Sequence, residues 1–250
     1  MGVCEIQSLT RDYGNGRGVF NLSFSINQGE VFGFLGPNGA GKTTTIRHLM
    51  GFLKPEKGYC TIGGKDCWKD RADIQKTLGY IPGEMVFFDD MTGTEFLSFM
   101  SKYRKTNSNG RIKELLDRFE LDPRSKLKKM SKGMKQKVGI VVAFMHDPEV
   151  LILDEPTSGL DPLMQNRFIE LVLEEKAKGK TILMSSHMFE EVERTCDRVY
   201  ENPDFKRHIT EYIDNLDNLL RNSSLLNTHF TERSAEELSK SFTNHNLFEA

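Results

Sequence analysis

The sequence is poor in features that define several common classes of protein. Only four of its 250 residues are cysteines, and they are scattered without a C-x-x-C pair. This pattern excludes a disulfide framework and argues against a metal site, so we expect four reduced thiols. The longest unbroken apolar run covers only residues 140–145. A helix that crosses a membrane needs about 20 apolar residues, so no membrane span is expected.

A large net charge is also missing. The formal charge is −2 at pH 7, with 28% charged and 38% hydrophobic residues. Proteins that bind duplex DNA usually carry a basic surface, so we expect no nucleic-acid partner. No basic-then-apolar leader follows Met1, and secretion is not expected. The composition is typical of a globular protein that is long enough to bury a sizeable core.

Glycine is absent from the last 50 residues, although the chain contains 21 glycines in total. The chain is therefore not homogeneous. Beyond residue 200, apolar residues such as Ile209, Ile213, Leu216 and Leu220 repeat at helical spacing. We predict a glycine-free, helical tail over residues 200–250, to which the sequence assigns no role.

Short apolar runs alternate with helical patterns in the first 200 residues. The apolar runs are residues 31–35, 150–153 and 181–184. Such runs are typical of buried parallel strands, whereas the alternation from Leu22 to Ile26 predicts a half-buried strand. Residues 81–146 carry helix signals, including a Thr92–Glu95 capping box. We predict an α/β fold with a mainly parallel sheet, an N-terminal antiparallel β part and an inserted α-helical subdomain over about 81–146.

One glycine-rich segment matches a phosphate-binding loop, G-x-x-x-x-G-K-(S/T). Its members are Gly36, Pro37, Asn38, Gly39, Ala40, Gly41, Lys42 and Thr43. Backbone N–H groups at a helix N-terminus bind phosphate well, and the segment lies between a predicted strand and a predicted helix. We expect Lys42 to reach the β- and γ-phosphates of ATP, Thr43 to bind Mg²⁺ and Thr44 to bond the α-phosphate. The alternative, a surface turn, is disfavoured by this context, so a P-loop NTPase core is predicted.

Two carboxylates, Asp154 and Glu155, follow the apolar run at residues 150–153. Ligands of parallel α/β sheets bind beyond the carboxyl ends of the strands. We therefore expect Asp154 to hold Mg²⁺ and Glu155 to polarise a water for attack on the γ-phosphate. A solvated strand end is the alternative, and the phosphate loop makes it the weaker one.

Three further segments resemble the nucleotide-binding subunit of ATP-binding cassette (ABC) transporters. Residues 131–136 (S-K-G-M-K-Q) resemble its signature motif, and residues 158–161 resemble its D-loop. His187, after two serines, resembles its switch histidine, and Tyr13 stands where the family stacks an aromatic ring on adenine. The resemblance covers residues 1–199, which we predict to form one ABC ATPase domain.

The resemblance implies an ATPase that works as a head-to-tail pair, either a homodimer or a heterodimer, with two ATP molecules between the subunits. Glu155 and His187 would be catalytic. Ser131 and Gly133 would close over the γ-phosphate held by the other subunit, and Asp161 of the D-loop would belong to the nucleotide site. A membrane-spanning permease would receive the closing motion through the helical part. These expectations imply a cytoplasmic protein that is peripheral on the inner face of the cell membrane.

The sequence departs from the family pattern at three places. Gly83 stands where the family has a glutamine, and we hypothesise that Glu84 or a water replaces that side chain. Lys132 stands where a glycine is usual, and this variant resembles the branch that serves ABC-2-type exporters, which favours export over import. The glycine-containing hairpin that the family has after Val199 is missing.

Two other functions remain open. A soluble, non-transport ABC ATPase usually has two such domains or long coiled-coil insertions, which 250 residues do not accommodate. An ATP-binding regulatory module with weak hydrolysis is suggested by Gly83 and by the tail. The lysines between residues 126 and 137 form either a solvated basic face or a patch that faces the partner's ATP. The acids Glu190, Glu191 and Glu193 are predicted to face solvent.

Overall fold

The computed structural model describes residues 2–88 and 90–201, and the structural statements refer to these residues. Its strands are β1 (Cys4–Asp12), β2 (Gly18–Ile26), β3 (Val31–Leu35), β4 (Lys57–Ile62), β5 (Lys65–Asp66), β6 (Leu78–Ile81), β7 (Val150–Asp154), β8 (Thr181–Ser186) and β9 (Arg198–Glu201). Its helices are α1 (Lys42–Leu49), α2 (Arg71–Thr77), α3 (Gly93–Arg104), α4 (Asn109–Arg118), α5 (Lys132–Phe144), α6 (Pro162–Ala177) and α7 (Phe189–Thr195). Of the predicted tail, Tyr200 and Glu201 belong to β9, and residues 202–250 lie outside the described residues.

The strands form two sheets. Strands β2, β1, β4 and β5 pair in that order, each antiparallel to the next. Strands β6, β7, β8, β3 and β9 form the second sheet, in which all of these pairings are parallel. The predicted α/β class, with a parallel sheet and an N-terminal antiparallel part, is confirmed.

The parallel sheet is buried on both faces, as its uninterrupted apolar runs predict. All five residues of β3 are buried. Val31 and Leu35 belong to a core that includes residues of α5 and α6, whereas Phe32 and Phe34 pack in a second core with β1 and α1. Each face therefore has its own core, and the strand ends that carry the predicted site are fixed between the two.

Three helices, α3, α4 and α5, occupy the chain between β6 and β7. The predicted capping box is present: the backbone N–H of Glu95 donates to Thr92 Oγ1 at 3.2 Å, and the backbone N–H of Thr92 donates to the Glu95 carboxylate at 2.8 Å. Ser131 caps α5 as predicted. Helix α4 is tied to α6 by an ion pair of 2.5 Å between Arg111 and Glu175. None of the helices in the described ranges has the length and apolar character needed to cross a membrane.

Candidate active site

A cavity of about 940 Å³ lies at the carboxyl edge of the parallel sheet. The predicted site residues that line it are Tyr13, Pro37, Asn38, Gly39, Ala40, Gly41, Lys42, Thr43, Thr44, Asp154, Glu155 and His187. They come from segments that are far apart in the sequence. Because β3, β7 and β8 run parallel, the segments that follow these strands meet at one edge. Tyr13 reaches the same cavity from the turn between β1 and β2.

The phosphate loop joins β3 to α1, and the first turn of α1 borders the cavity. Gly39 and Gly41 have φ angles of 90° and 85°, in the left-handed region that favours glycine. Lys42 is buried, and its Nζ donates to the backbone oxygens of Gly36 at 2.5 Å and Pro37 at 3.2 Å. The N-terminus of α1 and the Lys42 ammonium group together make this part of the cavity suited to a multiply charged anion.

Asp154, the last residue of β7, is fully buried. Its Oδ1 accepts a hydrogen bond of 2.6 Å from Ser185 Oγ, whereas Oδ2 has no hydrogen-bond partner among the described residues. An unpartnered buried carboxylate oxygen is costly, which makes Oδ2 a candidate ligand for a cation. Thr43 offers a hydroxyl in the same cavity. Oxygen donors of these kinds fit Mg²⁺.

Glu155 lies between two other predicted site residues. Its Oε1 is 3.3 Å from Lys42 Nζ, and its Oε2 contacts Nδ1 of His187. Its φ of 50° is uncommon for a residue other than glycine, and such strained backbone often occurs at functional sites. The backbone N–H of Glu155 donates to Ser185 Oγ at 3.1 Å, which holds this conformation. A carboxylate in these surroundings can accept a proton from a water in the cavity.

The family model of the ABC transporter matches residues 19–158. The linearmycin resistance ATP-binding protein LnrL of Bacillus subtilis is 38% identical over 202 residues, which are 79% of this chain and 65% of that protein. The ABC transporter ATP-binding protein NatA of the same organism is 40% identical over 189 residues, which are 73% of this chain and 77% of that protein. This chain belongs to the ABC transporter family of ATP-binding proteins.

A solved structure supports the same membership. The structure of an ATP-binding subunit of an ABC transporter superposes with a TM-score of 0.71 at 34% identity, over 80% of this chain and 86% of that chain.

The bacitracin transport ATP-binding protein BcrA of Bacillus licheniformis is 38% identical over 200 residues, or 79% of this chain. The chain spans 65% of the length of both LnrL and BcrA.

Three of the residues that the ABC resemblance selects do not line the cavity. Ser131 accepts a hydrogen bond from the backbone of α5, and Asp161 accepts one from the backbone of α6, so both are helix caps. Gly133 packs closely on the D-loop, because a Cβ there would lie 2.7 Å from the backbone oxygen of Gly159. Their roles toward a nucleotide stay predictions.

Lys132, which replaces a usual glycine of the ABC signature, contacts the D-loop of its own chain. Its Nζ donates to Ser158 Oγ at 2.9 Å, and Ser158 lines the cavity. The Lys132 stem also lies over Gly159, since a Cβ on that glycine would be 3.1 Å from two of its carbons. The departure from the family pattern therefore adds a direct link between signature and D-loop.

A second departure from the family pattern, Gly83, lies against Asp154. A Cβ on Gly83 would be 3.0 Å from Asp154 Oδ2, so even a methyl group would crowd that oxygen. Glu84 lines the same cavity, and the hypothesis that it or a water replaces the family's glutamine stays a prediction. Tyr13 also lines the cavity, with half of its surface exposed and the Arg11 guanidinium 5.2 Å from its ring. Its stacking on adenine stays a prediction.

Several residues that shape the site were not among the predicted site residues. Ser185 hydrogen-bonds both Asp154 and Glu155, and Arg47 adds positive charge to the lining. Burial next to Asp154 raises the pKa of Tyr80, another lining residue, to about 12. The prediction that Glu191 faces solvent is wrong, because only 3% of its surface is exposed. Its spacing from the buried residues Val192 and Thr195 on α7 is the signal that places it on the inner face.

Proposed function

We propose that the chain binds ATP and Mg²⁺ and hydrolyses ATP as the nucleotide-binding subunit of an ABC exporter. Membership of the family implies ATPase activity. The observation that carries the proposal is Glu155, which lies between Lys42 and His187 in a cavity bordered by the phosphate loop. Coupling to transport, the direction of transport and the partners are the parts of the proposal that go beyond the family.

The chain's residues support in-line attack of water on the γ-phosphate. Glu155 accepts a proton from the water while the oxygen of the water bonds to phosphorus and the bond to the β-phosphate oxygen breaks. Lys42 balances negative charge on the phosphates, and His187 orients the Glu155 carboxylate through their contact. Asp154 and Thr43 would hold Mg²⁺, which supplies further positive charge to the phosphate oxygens when bound.

The proposed active form is a head-to-tail dimer. Ser131 and Gly133 lie at the N-terminal end of α5, outside the cavity of their own chain. A hydroxyl and a backbone N–H at a helix N-terminus suit a phosphate, so a second subunit is the natural source of the nucleotide they contact. Each active site would then need two chains.

Replacing Glu155 by Gln tests hydrolysis and dimerisation together. The amide cannot accept the proton of water, so we expect turnover to fall by about 10²-fold or more while ATP binding persists. In size exclusion, the Glu155→Gln variant should run as a dimer with ATP and Mg²⁺ and as a monomer with ADP. Glu193→Gln, on the exposed side of α7, is the matched control and should behave as wild type. A variant that stays monomeric in both nucleotides would exclude a homodimer, and an inactive wild type would overturn the ATPase.

The permease partner is supported by an apolar surface on the helical insert. Val86, Phe88, Phe99 and Tyr103 are exposed, and the ring of Phe99 lies 6.0 Å from that of Phe88 and 6.3 Å from that of Tyr103. A contiguous exposed apolar surface usually marks an interaction site. Relatives named for linearmycin resistance and bacitracin transport favour export. With such a partner the subunit would sit on the cytoplasmic face of the membrane.

A regulatory ATP-binding module with weak hydrolysis is the second candidate. It is favoured by Gly83, which removes the family's glutamine beside Asp154. The steady-state turnover of the wild type distinguishes the two functions. A turnover rate per subunit that rises with protein concentration supports the transporter ATPase. Tight ATP binding without turnover supports the regulatory module.

A further inference from the structure

Behind His187, a buried carboxylate connects two segments of the active site. Glu191 lies one helical turn after His187, on the inner face of the short helix α7. Its Oε2 accepts a hydrogen bond of 2.6 Å from Ser186 Oγ. The contact lies in the protein interior, because Ser186 is 2% exposed and Glu191 is 3% exposed.

The Ser186 hydroxyl also contacts the turn that carries His187. The backbone N–H of Met188 donates to Ser186 Oγ at 3.0 Å, so this hydroxyl links the residue before His187 to the residue after it. Thr195 Oγ1 donates to the backbone oxygen of Glu191 at 2.7 Å, which fixes the helix that holds the carboxylate. The turn at His187 is therefore held from Glu191 through a single serine.

Glu191 also contacts the segment that follows Glu155. Thr157, two residues after Glu155, lines the same small cavity of about 120 Å³ as Glu191. The second carboxylate oxygen of Glu191, Oε1, is buried and has no hydrogen-bond partner among the described residues. Burial raises the pKa of Glu191, and the Glu155 carboxylate adds to the rise, whereas Ser186, Thr157 and His187 act in the opposite direction.

A carboxylate is an expensive choice for this position if packing is its only purpose. Burying an ionisable group costs free energy unless hydrogen bonds compensate, and the neighbouring buried residue Val192 shows that α7 accepts apolar side chains on this face. The Glu191 carboxylate instead bonds Ser186, on the segment that carries His187, and shares a cavity with Thr157, on the segment that carries Glu155.

We propose that Glu191 is a positioning residue: its hydrogen bond to Ser186 fixes the turn that carries His187 next to Thr157, on the segment that carries Glu155. The inference rests on the proposed ATPase function and deepens it. Glu191 does not line the nucleotide cavity, so it acts on the contact between His187 and Glu155 and not on the nucleotide.

The test compares Glu191→Ala, Glu191→Gln and Ser186→Ala with the exposed control Glu193→Ala. A displaced catalytic group can cost about 10²-fold in rate, so we expect kcat of Glu191→Ala to fall by at least about tenfold. KM for ATP should change by less than about twofold, because the phosphate loop is untouched. The Gln side chain keeps an oxygen that accepts from Ser186, and Glu191→Gln should recover most of the lost kcat. Glu193→Ala should match wild type.

Melting temperature and equilibrium ATP binding, measured on the same samples, separate positioning from a loss of fold. Because Ser186 links Glu191 to the turn, the Ser186→Ala/Glu191→Ala double variant should be no slower than the slower single variant. An active wild type with a normal kcat in Glu191→Ala would overturn the inference alone. A kcat that falls only in proportion to the folded, ATP-binding fraction would also overturn it. An inactive wild type would instead overturn the proposed function.

Discussion

At the scale of single residues, the site depends on groups whose neighbours fix the direction of their side chains. Glu155 has an ammonium on one side and an imidazole on the other, and its backbone adopts a left-handed conformation that a serine hydroxyl holds. Outside the site, His146 shows the same dependence on neighbours. Its Nε2 lies 3.0 Å from the backbone oxygen of Leu78 and 3.0 Å from Arg104 Nη1.

His146 predicts a pH dependence of stability. Burial, with a further contribution from Arg104, lowers its pKa from 6.5 to about 4, while Leu78, Val142 and Asp147 act in the opposite direction. Between pH 4 and 6.5 the unfolded chain therefore binds more protons than the folded one, and this contribution to stability is lost as the pH falls. Between pH 7 and pH 5, the free energy of unfolding in urea should fall less for His146→Gln than for wild type. Equal losses would contradict the prediction.

At the scale of elements, the helical insert is joined to the core by ion pairs between α4 and α6. Arg111 contacts Glu175, which is almost completely buried, and Arg118 contacts Glu174 at 2.6 Å. Helix α6 starts at the D-loop, since Asp161 is its N-cap. The pairs thus connect the insert to the helix that begins beside the nucleotide cavity.

The two pairs should differ strongly in their contribution to stability. Glu175→Ala leaves Arg111 without its buried partner, and removal of one partner of a buried pair costs about 3 kcal/mol or more. Glu174→Ala, on the same helix, breaks a pair in which the glutamate is largely exposed and should cost about 1 kcal/mol or less. Equilibrium urea unfolding of both variants measures the difference. Equal losses in the free energy of unfolding would contradict the prediction that the buried pair contributes more to stability.

At the scale of the whole molecule, the nucleotide site and the apolar surface lie on different parts of the chain. The cavity is bordered by the ends of the parallel strands, whereas the exposed rings of Phe88, Phe99 and Tyr103 belong to the insert. Hydrolysis and partner binding should therefore be separable by mutation.

Replacing Phe99 and Tyr103 by serine tests that separation. Both side chains are exposed, Phe99 to 44% and Tyr103 to 74%, and neither lines the cavity. The double variant should therefore stay folded and keep its basal ATPase rate within about twofold of wild type. Binding to membranes that contain the proposed permease partner should fall, because the apolar contact area is lost. Leu173→Ser, an exposed apolar residue of α6, provides the control. Undiminished binding by the double variant would exclude this surface as the docking site.

The sequence predicts those parts of the molecule that follow from local patterns. Apolar runs, the phosphate loop and the capping box at Thr92 depend on residues close together in the chain, and the structure has each where the pattern indicates. The contact of Lys132 with Ser158 and the burial of Glu191 depend on segments that meet only in the fold. Local patterns do not specify which loops meet. Residue type alone therefore predicts that a charged residue such as Glu191 faces solvent, although the fold buries it.

Strand β8 ends with two adjacent serines whose side chains point to opposite faces of the sheet. Ser185 bonds Asp154, and Ser186 bonds Glu191. Because side chains alternate along a strand, deleting one residue upstream in β8 would place Ser186 at the position of Ser185 and His187 at the position of Ser186, while preserving the apolar character of the strand. Such a change would leave an apparently intact sheet in which Asp154 still faces a serine and Glu191 has lost its hydroxyl partner. The length of β8 is therefore under a constraint that its hydrophobicity alone does not reveal.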